Sequence, residues 1–191
     1  MRRIKHITCI IVLLAGISMN AGAQKKITGI YRSLHDYLDD RPGYTANSGR
    51  LPTITLYTLA PRSYVTIRNE NNRVRVYKND IFAYRLANGE VYRIAGNHSF
   101  RLLNNNPLLL LYKRSMPASP KAGPEEQFKY YFSTGEGEMQ ALTAWNIKQA
   151  FAHHATLPDE IDALFKKDAE LLAYDSFRGM YKLEWLISGS R

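Results

Sequence analysis

Between Thr53 and Arg114 apolar and polar residues alternate with a period of two, in short runs such as SYVTIRN, NRVRVYK, DIFAYRL, EVYRIA and HSFRLL. Residues two apart share one face of a strand, whereas a helix repeats every 3.6, so this stretch cannot be a helical layer. The breaks ENN, ND, ANG, GN and NNN are short and rich in turn formers, which joins successive strands as antiparallel neighbours. PLLLLYK does not alternate, and predicts a central strand covered on both faces. A proline-rich connection through Pro117, Pro120 and Pro124 leads to FKYYFS, one further strand. The expectation over residues 53–133 is an antiparallel β-meander of about six to seven strands.

Helical patterns flank the meander. IYRSLHDYLDD puts Ile30, Leu34, Tyr37 and Leu38 on one side, predicting an N-terminal helix within 28–40 that Pro42 and Gly43 stop. Residues 141–188 predict a C-terminal layer of two to three helices. Thr143 caps the first; Thr156 begins the second, with Pro158 in its first turn. Asp175 caps the third, with Phe177, Met180, Tyr181, Leu183 and Leu186 inward and Trp185 or Ile187 left as a partner surface. The fold class is therefore α+β, with 24–191 as a single domain and no internal repeat.

The first 23 residues read differently. Arg2, Arg3 and Lys5 precede an apolar stretch from Ile7 to Met19, and Ala21-Gly22-Ala23 supplies small residues ahead of Gln24. That order predicts a signal peptide, 1–23, and export to the periplasm or cell surface. The stretch is too short to span a membrane, and no transmembrane segment is expected in the mature chain. Cys9, the only cysteine, leaves with the peptide. The mature 168 residues then carry no disulfide or thiolate nucleophile, and must be held by a core.

Charge is distributed unevenly. Residues 61–114 carry ten Lys/Arg against three acids, whereas residues 136–191 carry six against nine. Within the basic part, NRVRVYK sets Arg73, Arg75 and Tyr77 on one strand face. Two readings stand: a surface for phosphates or acidic polymers, or a charged edge that resists aggregation. In IFAYRLANGEVYRI, Asn88-Gly89 suits a two-residue type I′ turn. That register opposes Leu86 to Val91, Arg85 to Tyr92 and Tyr84 to Arg93, an Arg–Tyr pair on each face. Such pairs offer a platform for a sugar or anion, or cover apolar sheet with arginine stems. Nucleic acid is not an expected partner, since the chain is exported and has no binding motif of that kind.

Enzymatic chemistry has little to rest on. His98-Ser99 and His35-Asp36 lack a G-x-S-x-G, and neighbours on a strand face opposite ways. STGEGE is a turn, because Glu136 and Glu138 would repel a phosphate. His153 and His154 precede Asp159, Glu160 and Asp162, but consecutive helical residues diverge by about a quarter turn, and zinc pairs want i, i+4. Those carboxylates suit the start of a helix, with Asp162 able to pair with Lys166. No catalytic residue, metal site or cofactor is expected.

GIYRSLHDYLDDRP, DIFAYRLANGEVYRI, YYFS, LTAWNIKQAF and LLAYDSFRGMYKLEWL occur in that order. Together they resemble small exported proteins of Bacteroidota-type bacteria. The resemblance implies an envelope address and a single domain, and carries no activity and no catalytic residue. The leading expectation is a non-enzymatic envelope module that binds a protein or glycan. A hydrolase of a cell-envelope polymer, and a basic surface for anionic lipid or polysaccharide, are the alternatives.

Overall fold

Gln24–Tyr31 is a strand, β1, and not the first half of a helix. The structure, a computed structural model, describes residues 24–45, 50–70, 72–117 and 127–189, so the expected signal peptide lies outside the described residues. The helix expected over 28–40 shrinks to α1, Leu34–Leu38. Its start is set by Ser33, whose hydroxyl accepts from the Asp36 amide at 3.1 Å while the Asp36 carboxylate accepts from the Ser33 amide at 3.2 Å. This reciprocal cap fixes the first turn one residue after Ser33, and leaves Ile30 to the sheet.

Ten strands form one antiparallel sheet, larger than the six to seven expected. In chain order they are β1, β2 (Thr53–Thr55), β3 (Tyr64–Asn69), β4 (Asn72–Tyr77), β5 (Ala83–Leu86), β6 (Val91–Ala95), β7 (His98–Leu102), β8 (Leu110–Ser115), β9 (Phe128–Ser133) and β10 (Gln140–Ala141). Every run read as a strand is one; the additions are β1, β2 and the short β10. The spatial order is β10-β9-β8-β7-β6-β5-β1-β2-β3-β4. β1 therefore splits the meander: Gln24–Lys26 pair with β2, and Ile27–Tyr31 with β5, across a bulge between Ile27 and Gly29. Glycine is needed at that bulge, because a Cβ on Gly29 would lie 2.3 Å from the Pro42 Cβ.

β1 joins the two parts of the sheet. Ile54, Val65, Ile67 and Val76 of β2–β4 share one buried cluster with Ile27, Tyr84 and Ile94. The opposite face of β5–β8 buries Ala83, Phe100, Leu110 and Tyr112 with Tyr31, under Leu34 and Tyr37. A third cluster packs Leu109, Leu111 and Phe132 beneath the helices, through Ile147, Leu157, Ile161, Leu183 and Ile187. Leu109–Tyr112 are fully buried, their side chains divided between these two clusters, as the unbroken LLLLY run predicts.

The helical layer consists of α2 (Ala144–Ala150), α3 (Leu157–Leu164) and α4 (Lys182–Gly189). Thr143 caps α2, accepting from the Asn146 amide at 3.1 Å; Thr156 makes no side-chain cap. Asp162 pairs through its carboxylate with Lys148 of α2, and only its carbonyl accepts from Lys166. The third helix begins at Lys182, later than expected. Asp175 instead accepts from the amides of Phe177 (3.0 Å) and Arg178 (3.1 Å), closing a hairpin of β11 (Tyr174–Asp175) and β12 (Met180–Tyr181). The same aspartate chemistry that caps a helix here makes a turn. Phe177 consequently stands 95% exposed at its tip, while Ile187 is buried and Trp185 is exposed.

Candidate anion-binding face

The β5–β6 hairpin is one residue longer in its loop than a type I′ turn allows. Leu86 N donates to Glu90 O at 2.8 Å and Gly89 N to Leu86 O at 3.0 Å, with Gly89 at φ +85°. A type I turn followed by a left-handed glycine is the three-residue solution. Asn88 stabilises it by accepting from the Glu90 amide at 3.1 Å. The register accordingly opposes Ala83 to Arg93, Tyr84 to Tyr92 and Arg85 to Val91, in place of the expected pairs. Both tyrosines fall on one face, stacked 5.6 Å apart with planes 11° off parallel, and both arginines on the other.

This shift decides what each candidate can reach. Arg93 is buried. Its Nη1 donates to Tyr112 Oη (2.8 Å) and Ser133 Oγ (2.6 Å), and its Nη2 to the carbonyls of Glu136 and Gly137 (both 2.8 Å). Both terminal nitrogens are thus committed to protein acceptors. They clamp the STGEGE turn, whose Glu136 carboxylate also accepts from the Leu34 amide at the start of α1. Tyr84 is fully buried, and burial pushes its hydroxyl up to about 12. Arg85 lies over the Tyr31 ring and pairs with Asp40 at 2.7 Å, which together with the Tyr31 hydroxyl holds that carboxyl below its usual range. Tyr92 belongs to the side of the sheet that faces the β2 end.

Arg73, Arg75 and Tyr77, by contrast, are all exposed on the outer side of the edge strand β4, with Val76 directed inward. Strand register sets Arg68 opposite Arg73, Thr66 opposite Arg75 and Tyr64 opposite Tyr77 on this outer face. Two more residues join it from the β2–β3 connection. Tyr57 has φ +52°, a left-handed backbone rare for a tyrosine and costing about 1–3 kcal/mol. Its ring meets that of Tyr64 edge-on at 5.6 Å, and its hydroxyl lies 2.8 Å from Thr66 Oγ1. Arg62 lies 4.9 Å from the Tyr57 centroid and 5.6 Å from that of Tyr64, and donates to the Tyr64 hydroxyl. Arg75 lies 5.1 Å over the Tyr64 ring, and Arg73 donates to the Tyr57 hydroxyl at 3.4 Å. Thr66 first, then Arg73 and Arg62, hold the Tyr57 hydroxyl below its ordinary value.

The result is a face of four arginines (62, 68, 73 and 75) interleaved with Tyr57, Tyr64 and Tyr77. β2, β3 and β4 contain no acidic residue. Among the described residues no carboxylate forms an ion pair with Arg62, Arg73 or Arg75. Aromatic rings orient a guanidinium without cancelling its charge. Arg62, Arg68, Tyr57 and Tyr64 were not among the expected candidates; extending the alternation across SYVTIRN finds Arg68 and Tyr64, but only the turned backbone at Tyr57 brings that ring over.

The histidines are scattered. His35 is exposed on α1, 3.4 Å from Asp39 and 2.9 Å from an Arg41 nitrogen. His98 and Ser99 are successive on β7, and the His98 ring stands edge-on to Phe100. The His153 and His154 rings lie 4.2 Å apart after α2, tilted 46° to one another, each beside Phe151. Among the described residues no group of three His, Cys, Asp or Glu could hold a metal ion, and no helix is long and apolar enough to cross a membrane. No protein-family model matches the chain, and neither curated proteins nor solved structures give a match.

Proposed function

We propose that the protein is an exported, non-enzymatic binding module of the cell envelope, and that its outer β2–β4 face holds an acidic glycan. The observation that carries this reading is the array of Arg62 and Arg75 over tyrosine rings and Arg73 on the Tyr57 hydroxyl, with no carboxylate paired to them among the described residues. Directly opposed like charges such as Arg68 and Arg73 destabilise a sheet. A bound polyanion relieves that repulsion. The rigid strand backbone spaces alternate side chains by about 7 Å, so a chain of acidic sugars meets a repeating row of cations and phenol hydroxyls. The N-terminal stretch supports the envelope address, which N-terminal sequencing of the mature protein checks by starting at Gln24.

Binding is tested on the mature chain with polygalacturonate, dextran and phosphatidylglycerol vesicles at 50 mM and 500 mM salt. Polygalacturonate alone should bind, and should weaken steeply with salt because exposed charges are screened. Equal binding to dextran, or insensitivity to salt, overturns the reading. Preference for the vesicles replaces the glycan with a lipid surface.

A further inference from the structure

We propose a second binding site, separate from the outer face: a groove on the inner side of the sheet takes a single sugar unit bearing a phosphate or carboxylate. The groove encloses about 590 Å³ where the end of β2 meets β6, β7, β8 and the start of β9. That volume suits a small ligand.

Its floor is a transverse row in strand register, with Tyr92 opposite Arg101 and Arg101 opposite Lys113. Lys25 reaches the row from β1, its ammonium 5.0 Å over the Tyr92 ring. Lys113 sits 3.5 Å from the Phe128 centroid. Each ring positions an ammonium without neutralising it. Arg101 pairs with Glu90 at 3.1 Å, and that carboxylate also accepts from the Tyr92 hydroxyl at 3.0 Å. Lys25 and Lys113 form no ion pair among the described residues.

Opposing Arg101 to Lys113 across β7–β8 works against the sheet. Arg101 is partly offset by Glu90 and Lys113 rests on the Phe128 ring, but an anionic group between the two turns their mutual repulsion into attraction. A concave site sharpens the effect, because low-dielectric walls focus the field of several like charges. Ser99, Asn97 and Thr58 supply polar atoms for hydroxyls. With the Tyr92 and Phe128 rings already occupied by lysines, the recognised feature is the acid group and not a stacked aromatic ring.

Calorimetric titration of the mature protein with glucose 6-phosphate, glucuronate, inorganic phosphate and glucose tests this. At least one sugar acid should bind at least tenfold more tightly than glucose, and the stronger of the two identifies the acid group. Lys113→Glu and Lys25→Gln should each weaken it at least fivefold, while Arg73→Glu/Arg75→Glu leaves it unchanged. The proposal fails if glucose binds as well as its acids, if inorganic phosphate binds more tightly than either, if neither acid binds, or if both groove variants bind normally. Loss in the Arg73→Glu/Arg75→Glu protein would assign the ligand to the outer face instead.

Discussion

Replacing Arg93 tests how the loop before the helical layer is held. The guanidinium is buried and donates to two hydroxyls and to backbone carbonyls of residues 135–137, with no carboxylate in the set. It also lies over the Phe82 ring at 5.1 Å. Hydrogen bonds to a charged group are worth about 1.5–3 kcal/mol each, but they do not simply add here. In Arg93→Leu, Tyr112 and Ser133 keep their mutual bond of 3.0 Å, and the carbonyls of Glu136 and Gly137, both exposed residues, regain water. The desolvation already spent on the cation is recovered as well. No charge is left buried without a partner, so the expected loss is about 1.5–3 kcal/mol, that of a charged hydrogen-bond set whose acceptors are largely re-satisfied. For a chain of this size it lowers Tm by about 3–12 °C. Arg93→Lys, which keeps the charge but not the fork, should fall between. Urea unfolding measures the change, and amide exchange should rise at residues 134–138 and at Leu34. A loss below about 1 kcal/mol, with exchange unchanged, would refute the clamp.

Gly29→Ala should destabilise by about 1–3 kcal/mol, because the new methyl meets the short, ring-bound Pro42 Cβ at the β1 bulge; thermal unfolding checks it. Lys113→Glu exchanges the contact over the Phe128 ring for a carboxylate opposite Arg101, so stability should stay within about 1 kcal/mol of wild type, measured by urea unfolding in low salt. Because burial, Arg114 and Lys78 lower the folded pKa of His98, the unfolded chain binds the proton more readily. That contribution to stability is present above about pH 6.5 and declines as the pH falls toward the folded value. An NMR titration should place His98 below an ordinary histidine, and Arg114→Gln should raise it.

The meander was legible because alternation and turn residues coincide at each break. SYVTIRN through FKYYFS all became strands, and LLLLY became the doubly covered one. β1 was hidden by competition between two periods. Ile30, Leu34 and Tyr37 fit a helical stripe, while Ile27, Ile30 and Tyr31 fit a bulged strand, and only Ser33 separates them. The hairpin register failed by one residue because Asn-Gly serves both the two-residue and the three-residue loop. That single step moved Arg93 from an assumed surface into the core and Tyr92 into the groove. Asp175 misled for a related reason, since an aspartate that accepts amides two and three residues ahead suits a helix start and a hairpin turn alike. The outer arginine face was half visible, as Arg73 and Arg75 alternate within one strand. The groove was not visible, because Arg101 and Lys113 meet only through strand register and Lys25 only through its reach to the Tyr92 ring.

On the proposed function, the outer arginines act as one surface for an acidic glycan. Polygalacturonate affinity should be compared between the wild-type mature protein and Arg73→Glu/Arg75→Glu at 50 mM salt, with unfolding curves confirming that both are folded. Arg73→Glu faces Arg68 while Arg75→Glu gives up its contact with the Tyr64 ring, so stability should stay within about 1 kcal/mol of wild type. Affinity should drop at least tenfold, which is a loss of about 1.4 kcal/mol or more. Unchanged affinity in a folded double variant would contradict that role for the outer arginines.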